Sequence, residues 1–513
     1  MKTCIPVFCW SIVSFITLLA QEQSPFLHHL TPGNYTPGFR HEDRIDYSRS
    51  WLSPSDGRPV PRTIHAYTWY PSTQSNSERM RFSEYVRLAD EDLGVREEDK
   101  KDDWPHIPIP VQLDKGMSRD ELRTLWVTET ASIRNSEPAK GRFPVIVLGQ
   151  GLFYESPLSN FILCEYLASH GFVVITSPLV GTCYRLVNIT PADVETQVRD
   201  MEFLISVAVA FPFVDRDRIG VSGFDLGGIS GLLLCMRHPD VKAFLSLDCT
   251  ILFPHYTGIP NTHPSYDEDS FTIPWMHIVQ SRIFSGFFGP STASTLYDRK
   301  RFGDNYLLLV STTSHGDFTS YANLDITNPV PRYWNRVSQA SRKVFRIVCD
   351  NALVFFEAYL KQKTGSLDHL KRLAVDENKD NALLEVRMRS GEEAPPSQSY
   401  IVNLIIEKGF EAALPVIKHA RREYADSLLF DEKVMSWLGF HLLYRWGRDD
   451  EAVNLFKLMV SLFPNSANAY EGLGEAYRVL GDSDQAVKSY EKSFKLDPDR
   501  EHTKEMLKQL REH

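Results

Sequence analysis

Cysteine is scarce in this chain, with 7 among 513 residues, and no two of them stand in a C-x-x-C spacing. That excludes a densely disulfide-stapled scaffold and the paired-thiolate pattern of a structural zinc site; no metal and no cofactor are expected. A glycine-rich phosphate loop is also missing, which argues against nucleotide chemistry. Positive charge is not in excess: 56 Lys+Arg stand against 66 Asp+Glu, a formal net charge of −10. Nucleic-acid binding wants a basic face, so no nucleic-acid partner is expected. No apolar run reaches the ~20 residues of a membrane-spanning helix. Neither G-x-S-x-G nor G-x-C-x-G occurs anywhere.

What is present reads as a globular chain: 42% hydrophobic and 24% charged residues, long enough for two to four domains. Lys2 precedes an apolar run from Ile5 to Leu19, and Ala20 gives way to Gln21-Glu22-Gln23. This pattern predicts an export signal at residues 1–20 and a periplasmic or secreted protein, with an uncleaved anchor as the alternative. Cys4 and Cys9 would leave with it. Cys164, Cys183, Cys235, Cys249 and Cys349 remain, too few and odd in number for a disulfide framework.

From Arg142 onward short apolar runs alternate with helical patterns. Phe143–Leu148, Gly171–Ile175, Arg218–Ser222, Val241–Leu247 and Tyr306–Val310 read as buried strands, with helices over 160–169, 193–211 and 229–236 between them. Such alternation predicts βαβ units and a mainly parallel sheet covered on both faces. Ile64–Pro71 reads as an antiparallel edge strand, and residues 89–140 as a charged insertion crossing the surface. A helix over 343–363 closes a domain spanning 21–365. Residues 366–398 are expected to be a linker, centred on the Gly-Pro-Ser-rich stretch Ser390–Ser397.

The remainder, 399–513, is predicted to be all-α. Gly447, Ala452, Phe456 and Pro464 recur as Gly481, Ala486, Tyr490 and Pro498, the 34-residue period of tetratricopeptide repeats. Residues 399–430 look like a degenerate earlier helical pair. One repeat cannot bury its own apolar face, so stacking on neighbours is expected; a groove for a protein partner and simple packing are both open.

The motif that carries chemistry is Gly223-Phe224-Asp225-Leu226-Gly227. It follows a predicted strand and opens a predicted helix, as does the G-x-nucleophile-x-G elbow, whose glycines allow close backbone approach. The elbow position here holds Asp225. Ser222, in Gly220-Val221-Ser222-Gly223, lacks the second glycine and reads as a strand residue.

Residues 31–365 resemble the platelet-activating-factor acetylhydrolase branch of α/β-hydrolases, near the dienelactone-hydrolase-like proteins. The resemblance rests on Gly33-Asn34-Tyr35 with Gly38-Phe39-Arg40, Trp69-Tyr70-Pro71, Leu167–Val173, Asp215–Arg218 before the elbow, and Ser314-His315-Gly316-Asp317-Phe318. It implies an α/β-hydrolase sheet flanked by helices and a carboxyl- or lipid-ester substrate. It implies Asp248 as the acid, His315 as the base with Asp317 as fallback partner, and the N–H groups of Leu152 and Leu226 as oxyanion hole.

Aspartate at the elbow opens three readings. Asp225 attacks a saturated carbon bearing a halide or epoxide oxygen, giving an ester that His315 hydrolyses with water. Or it supports ester hydrolysis as acyl acceptor or base. Or the pocket binds without catalysis, the helical tail serving partners. A fourth, Asp225, Asp248 and His315 as a metal-binding triad, requires the three donors to converge.

Overall fold

The computed structural model describes residues 24–52, 57–73, 77–93, 119–152, 156–182, 187, 189–252, 262–281, 294–311, 314–324, 339–376, 383–396, 398–423 and 432–512. The expected export signal and Cys183 lie outside them. Two compact units divide the chain, Met1–Ser390 and Gly391–His513.

The first unit contains β1 (Thr36–Leu52), β2 (Pro59–Ser72), β3 (Ile133–Arg134), β4 (Phe143–Gly149), β5 (Val173–Thr176), β6 (Val214–Phe224), β7 (Val241–Leu247), β8 (Trp275–Gln280), β9 (Asn305–Val310) and β10 (Leu384–Arg389). Its principal helices are α1 (Phe82–Leu93), α2 (Arg119–Val127), α3 (Phe161–Ser169), α4 (Pro191–Val209), α5 (Leu226–Arg237), α6 (Gln339–Leu360) and α7 (Thr364–Asp376). The strands form one sheet in the order β10-β9-β8-β7-β6-β4-β5-β2-β1-β3. Strands β4 to β9 are mutually parallel, while β1–β2, β2–β5 and β9–β10 are antiparallel pairs.

Alternation of side chains explains why the central strands are apolar throughout. Along β4, Val145 and Val147 join the cluster formed with α4 and α5, whereas Ile146 and Leu148 join the cluster formed with α3 and α6. Both sets are buried, so neither face of the strand tolerates a polar residue. The fold is an α/β-hydrolase sheet flanked by helices.

Three expectations change. The strand at 64–71 is not an edge: β2 lies between β5 and β1, because the 17-residue β1 pairs along most of its length. The segment 89–140 is more than a surface crossing. Ala89 at the end of α1 is buried with Leu122 and Leu125 of α2 in the main core, and Ile133 is buried in β3; residues 94–118 lie outside the described set. Nor is 366–398 a linker. Leu370 and Leu373 of α7 are buried, and β10 continues the sheet through Arg389, Val386 opposite Leu308. Its alternating Leu384-Glu385-Val386-Arg387 pattern is that of a strand with one covered face.

The second unit is helical. The expected early pair is Gln398–Lys408 and Phe410–Glu423, turned by Gly409 at φ 90°. Then follow Glu432–Tyr444, Asp449–Leu462, Ala467–Leu480, Ser483–Leu496 and Glu501–Glu512. Gly447 and Gly481, one repeat apart, have φ of 60° and 86°, the left-handed conformation that ends a helix cheaply only at glycine. Their partners in the period are fully buried: Ala452, Ala486, Phe456 and Tyr490. Among the described residues no helix is long and apolar enough to cross a membrane.

Candidate active site

Strand β6 passes into α5 through Asp225, whose φ of 49° and ψ of −117° put a non-glycine residue in a sparsely populated conformation. Neighbouring backbone leaves room for that turn only where side chains are absent. A Cβ on Gly223 would stand 2.1 Å from the Gly227 carbonyl oxygen, and one on Gly227 would stand 2.2 Å from that of Gly149. Gly151 is pinned likewise, its Cβ position 2.7 Å from the Asp225 Cβ. The elbow and the loop after β4 are thus fitted to one another.

This fit brings Leu152 to the carboxylate: its N–H donates to Asp225 Oδ2 at 2.9 Å. The Leu226 N–H, at the start of α5, works against the rise of the Asp225 carboxyl pKa, at a place where the helix dipole favours negative charge. Of the two N–H groups expected to form an oxyanion hole, that of Leu152 is hydrogen-bonded to the side chain of Asp225 itself.

Below the Gly149-Gln150-Gly151 loop lies a buried polar network. Gln150 donates to Thr176 Oγ1 at 2.9 Å and accepts from Asn160 at 2.8 Å; its backbone carbonyl accepts from Gln197, which in turn accepts from Ser230. These residues fix the loop that carries Leu152. They went unnoticed in the sequence because each comes from a different element.

Asp248 follows β7, buried and also at positive φ, 42°. Its Oδ1 accepts from the Gln280 backbone N–H at 3.0 Å, and its Oδ2 from Gln280 Nε2 at 2.6 Å. The same Oδ2 lies 2.6 Å from His315 Nδ1. Gln280 ends β8, a strand the sequence reading passed over, and no motif marks it. Phe224, inside the elbow motif, stacks on the His315 ring at 4.6 Å and 28°.

His315 Nε2 faces Asp225 Oδ1 at 3.9 Å, too far for a hydrogen bond. Asp317, the fallback partner, is occupied elsewhere: its Oδ2 accepts from the Ser314 N–H at 2.8 Å in a capping box around the turn that carries His315. Ser222 lies in β6, buried between its neighbours β4 and β7. The metal-triad arrangement fails on geometry, since Asp248 and Asp225 face opposite nitrogens of one imidazole and the three donors do not converge.

Burial raises the Asp225 carboxyl above its ordinary range; the charge of His315 and the N–H groups of Leu226 and Leu152 oppose the shift. For His315, burial works against the proton, yet the hydrogen bond and charge of Asp248, joined by the charge of Asp225, outweigh it and raise the imidazole above 6.5. The His315 ring stands between two carboxyl side chains, Asp248 at Nδ1 and Asp225 at Nε2. Nucleophile position, acid and histidine occur in the chain order found in α/β-hydrolases.

Residues 467–500 match the tetratricopeptide repeat family. Mouse and human dipeptidyl peptidase 8 are each 27% identical over 118 residues, 20% of this chain and only 13% of theirs. A solved ferulic acid esterase from Streptomyces cinnamoneus shares 20% identity with a TM-score of 0.48, over 65% of this chain and 93% of its own. Sheet order, elbow and repeat together define the architecture: an α/β-hydrolase-type sheet flanked by helices, followed by a helical, tetratricopeptide-like unit whose matched repeat is 467–500.

Proposed function

We propose that the chain is a hydrolase whose covalent nucleophile is Asp225, acting on a saturated carbon that bears a halide or an epoxide oxygen. The observation that carries this reading is the division of labour within one carboxylate. Oδ2 accepts the Leu152 N–H, while Oδ1 is 3.9 Å from His315 Nε2 and makes no hydrogen bond with it. Attack at an acyl carbon would create an oxyanion needing the Leu152 N–H that Asp225 already engages. Displacement of a halide from a saturated carbon creates none in the first step, and opening of an epoxide puts the charge on the substrate's departing oxygen, away from the Asp225 carboxyl.

For a halide, Oδ1 forms the new C–O bond as the carbon–halogen bond breaks and halide leaves with the electron pair. Alkylation removes the Asp225 charge and with it one of the influences that keep His315 protonated. Once His315 has lost its proton to solvent, its Nε2 takes a proton from water as the water oxygen attacks the Asp225 carboxyl carbon. The negative charge that develops on the oxygen held by Leu152 meets an N–H donor already in place. Collapse expels the alkoxide, which receives the proton from His315, and leaves the Asp225 carboxylic acid, whose remaining proton passes to His315 and restores the starting carboxylate and imidazolium. The net change is R–X plus water to R–OH, halide and a proton. Asp248 holds the ring by Nδ1 and stabilises the imidazolium.

The resemblance to the platelet-activating-factor acetylhydrolase group adds short-chain and phospholipid esters to the substrates to be tried. The apolar run at 5–19 supports export, and the repeat at 467–500 supports a protein partner for the helical unit. The test is a panel of haloalkanes, epoxides, nitrophenyl esters and acetyl phospholipids given to wild type and to His315→Ala. The reading requires turnover of a haloalkane or epoxide by wild type, and a stable adduct on the Asp225 peptide in His315→Ala. Turnover of carboxyl esters alone, rising in Asp225→Ser, identifies a disabled acyl-transfer site instead; no turnover of any panel member refutes catalysis by this route.

A further inference from the structure

A second cluster of ligand-type side chains lies on the β1–β2 ribbon, far along the sheet order from the elbow strand. Antiparallel pairing puts Asp43 opposite His65 and His41 opposite Tyr67. With side chains alternating along each strand, residues two apart share a face, so His41, Asp43, His65 and Tyr67 stand on one face. Their donors meet: one ligand atom from each of His41, Asp43 and His65 can be chosen so that all lie within 4.8 Å of one another. His65 Nδ1 is 2.6 Å from Asp43 Oδ1, and His41 Nε2 is 3.6 Å from the same oxygen. His41 Nε2 is buried and has no hydrogen-bond partner, an unusual state for an imidazole nitrogen.

We propose that His41, Asp43 and His65 bind a divalent metal ion of the zinc type. Two imidazoles and one carboxylate are borderline donors suited to zinc, and the hard, oxygen-seeking calcium and magnesium ions are not served by them. Metal–nitrogen bonds of about 2.0–2.1 Å place tetrahedral donors about 3.3 Å apart, so small side-chain shifts from the observed spacing suffice. Binding would replace the His65–Asp43 contact and give the orphaned His41 nitrogen a partner. Three protein ligands leave a fourth position for water.

The surroundings hold the ligands in place. The Tyr67 ring packs on His41 at 4.7 Å, and the Tyr67 hydroxyl donates to Asp92 on α1 at 2.5 Å. Glu91 contributes negative potential at His41 and Arg134 positive potential. Asp43 and His65 side chains are 60% and 32% exposed, which leaves the ion an approach from solvent. The ion would tie β1 to β2 beyond their backbone pairing. Nothing in the elbow chemistry depends on it.

The full chain, stripped with a chelator, is titrated with Zn²⁺ against a chromophoric competitor, and with Co²⁺ while the visible absorption is followed. One tight Zn²⁺ equivalent is expected, with a tetrahedral-type Co²⁺ spectrum, and binding at least ~100-fold weaker in Asp43→Asn and in His65→Gln. Both substitutions alter partly exposed side chains, and circular dichroism of the metal-free variants confirms their folding. Absence of tight Zn²⁺ binding, retention of wild-type affinity in either variant, or equal competition by Ca²⁺ or Mg²⁺ overturns the assignment.

Discussion

Replacing Asp248 by Asn keeps the shape of the side chain and removes its charge. The structure shows what that costs. Asp248 Oδ1 accepts one N–H and Oδ2 accepts two, from the backbone and side chain of Gln280 and from His315. Asparagine offers one oxygen. If it occupies the Oδ2 place, the new NH₂ faces the Gln280 backbone N–H; if it takes the Oδ1 place, the NH₂ faces both remaining donors. At least one buried donor is orphaned either way, at about 1–3 kcal/mol, in addition to the weakened charge-assisted bond to His315. The kinetic effect is confined to one step. In the proposed route His315 acts only on the aspartyl ester, so ester formation should stay within a few-fold of wild type. Ester hydrolysis should slow by ~10²–10⁴. Rapid-quench mass spectrometry would then show about one equivalent of adduct forming at the wild-type rate and persisting. Equal loss in both steps, as for a nucleophile that needs His315 to deprotonate it, would refute the reasoning, as would an unchanged second step.

Other outcomes follow from the same geometry. His315 hydrolyses the ester only when neutral, so single-turnover hydrolysis should increase with pH through the titration of His315; esterification of Asp225 removes one of the charges that raise that midpoint, and Asp248→Asn should move it lower still. The stability linkage has the opposite sense: the contribution of protonated His315 is complete below 6.5 and is lost as pH rises through the raised value, measurable as a declining urea midpoint. Gly227→Ala puts a methyl 2.2 Å from the Gly149 carbonyl oxygen; separating the loop from the elbow should cost about 1–3 kcal/mol in urea unfolding and displace the Leu152 N–H from Asp225. Arg62 is buried on β2 and donates to both oxygens of Asp200 as well as to the Val180 and Gly181 carbonyls. Arg62→Leu should therefore destabilise the fold by about 3–5 kcal/mol, and because Asp200 also pairs with Arg49 at 2.8 Å, substituting Asp200 as well breaks that second ion pair and should recover little of the loss in urea unfolding.

Where the chain had only to bury strands on both faces, the sequence was readable. Strands β4, β7 and β9 and the buried half of β6, Ile219–Phe224, are largely apolar runs, and their helices follow at the expected places. β1 was illegible because it is largely exposed over Arg44–Leu52, where polar residues prevail and the hydrogen bonds to β2 are what hold it. β8 contains a histidine and a glutamine among its six residues, both buried; His277 hydrogen-bonds Ser246 and Gln280 serves Asp248. β10 hid in polar surroundings because its core face is only Leu384, Val386 and the half-buried Met388, alternating with Glu385, Arg387 and Arg389. At the site, two glycines around Asp225 and the residues flanking His315 marked two loops that the fold brings together. The engagement of the Leu152 N–H by Asp225 depends on separate segments meeting, which spacing does not encode. The same holds for His41, Asp43 and His65, joined by the register of β1 against β2.

Single turnover in ¹⁸O-water, with enzyme in excess over a haloalkane or epoxide that the chain converts, reports directly on which atom attacks. Water that enters at the carboxyl carbon leaves its oxygen in the protein, so the peptide containing Asp225 should gain ¹⁸O while the alcohol carries the original carboxylate oxygen. An unlabelled Asp225 with ¹⁸O in the alcohol would mean that water attacks the substrate itself, and that Asp225 is not a nucleophile.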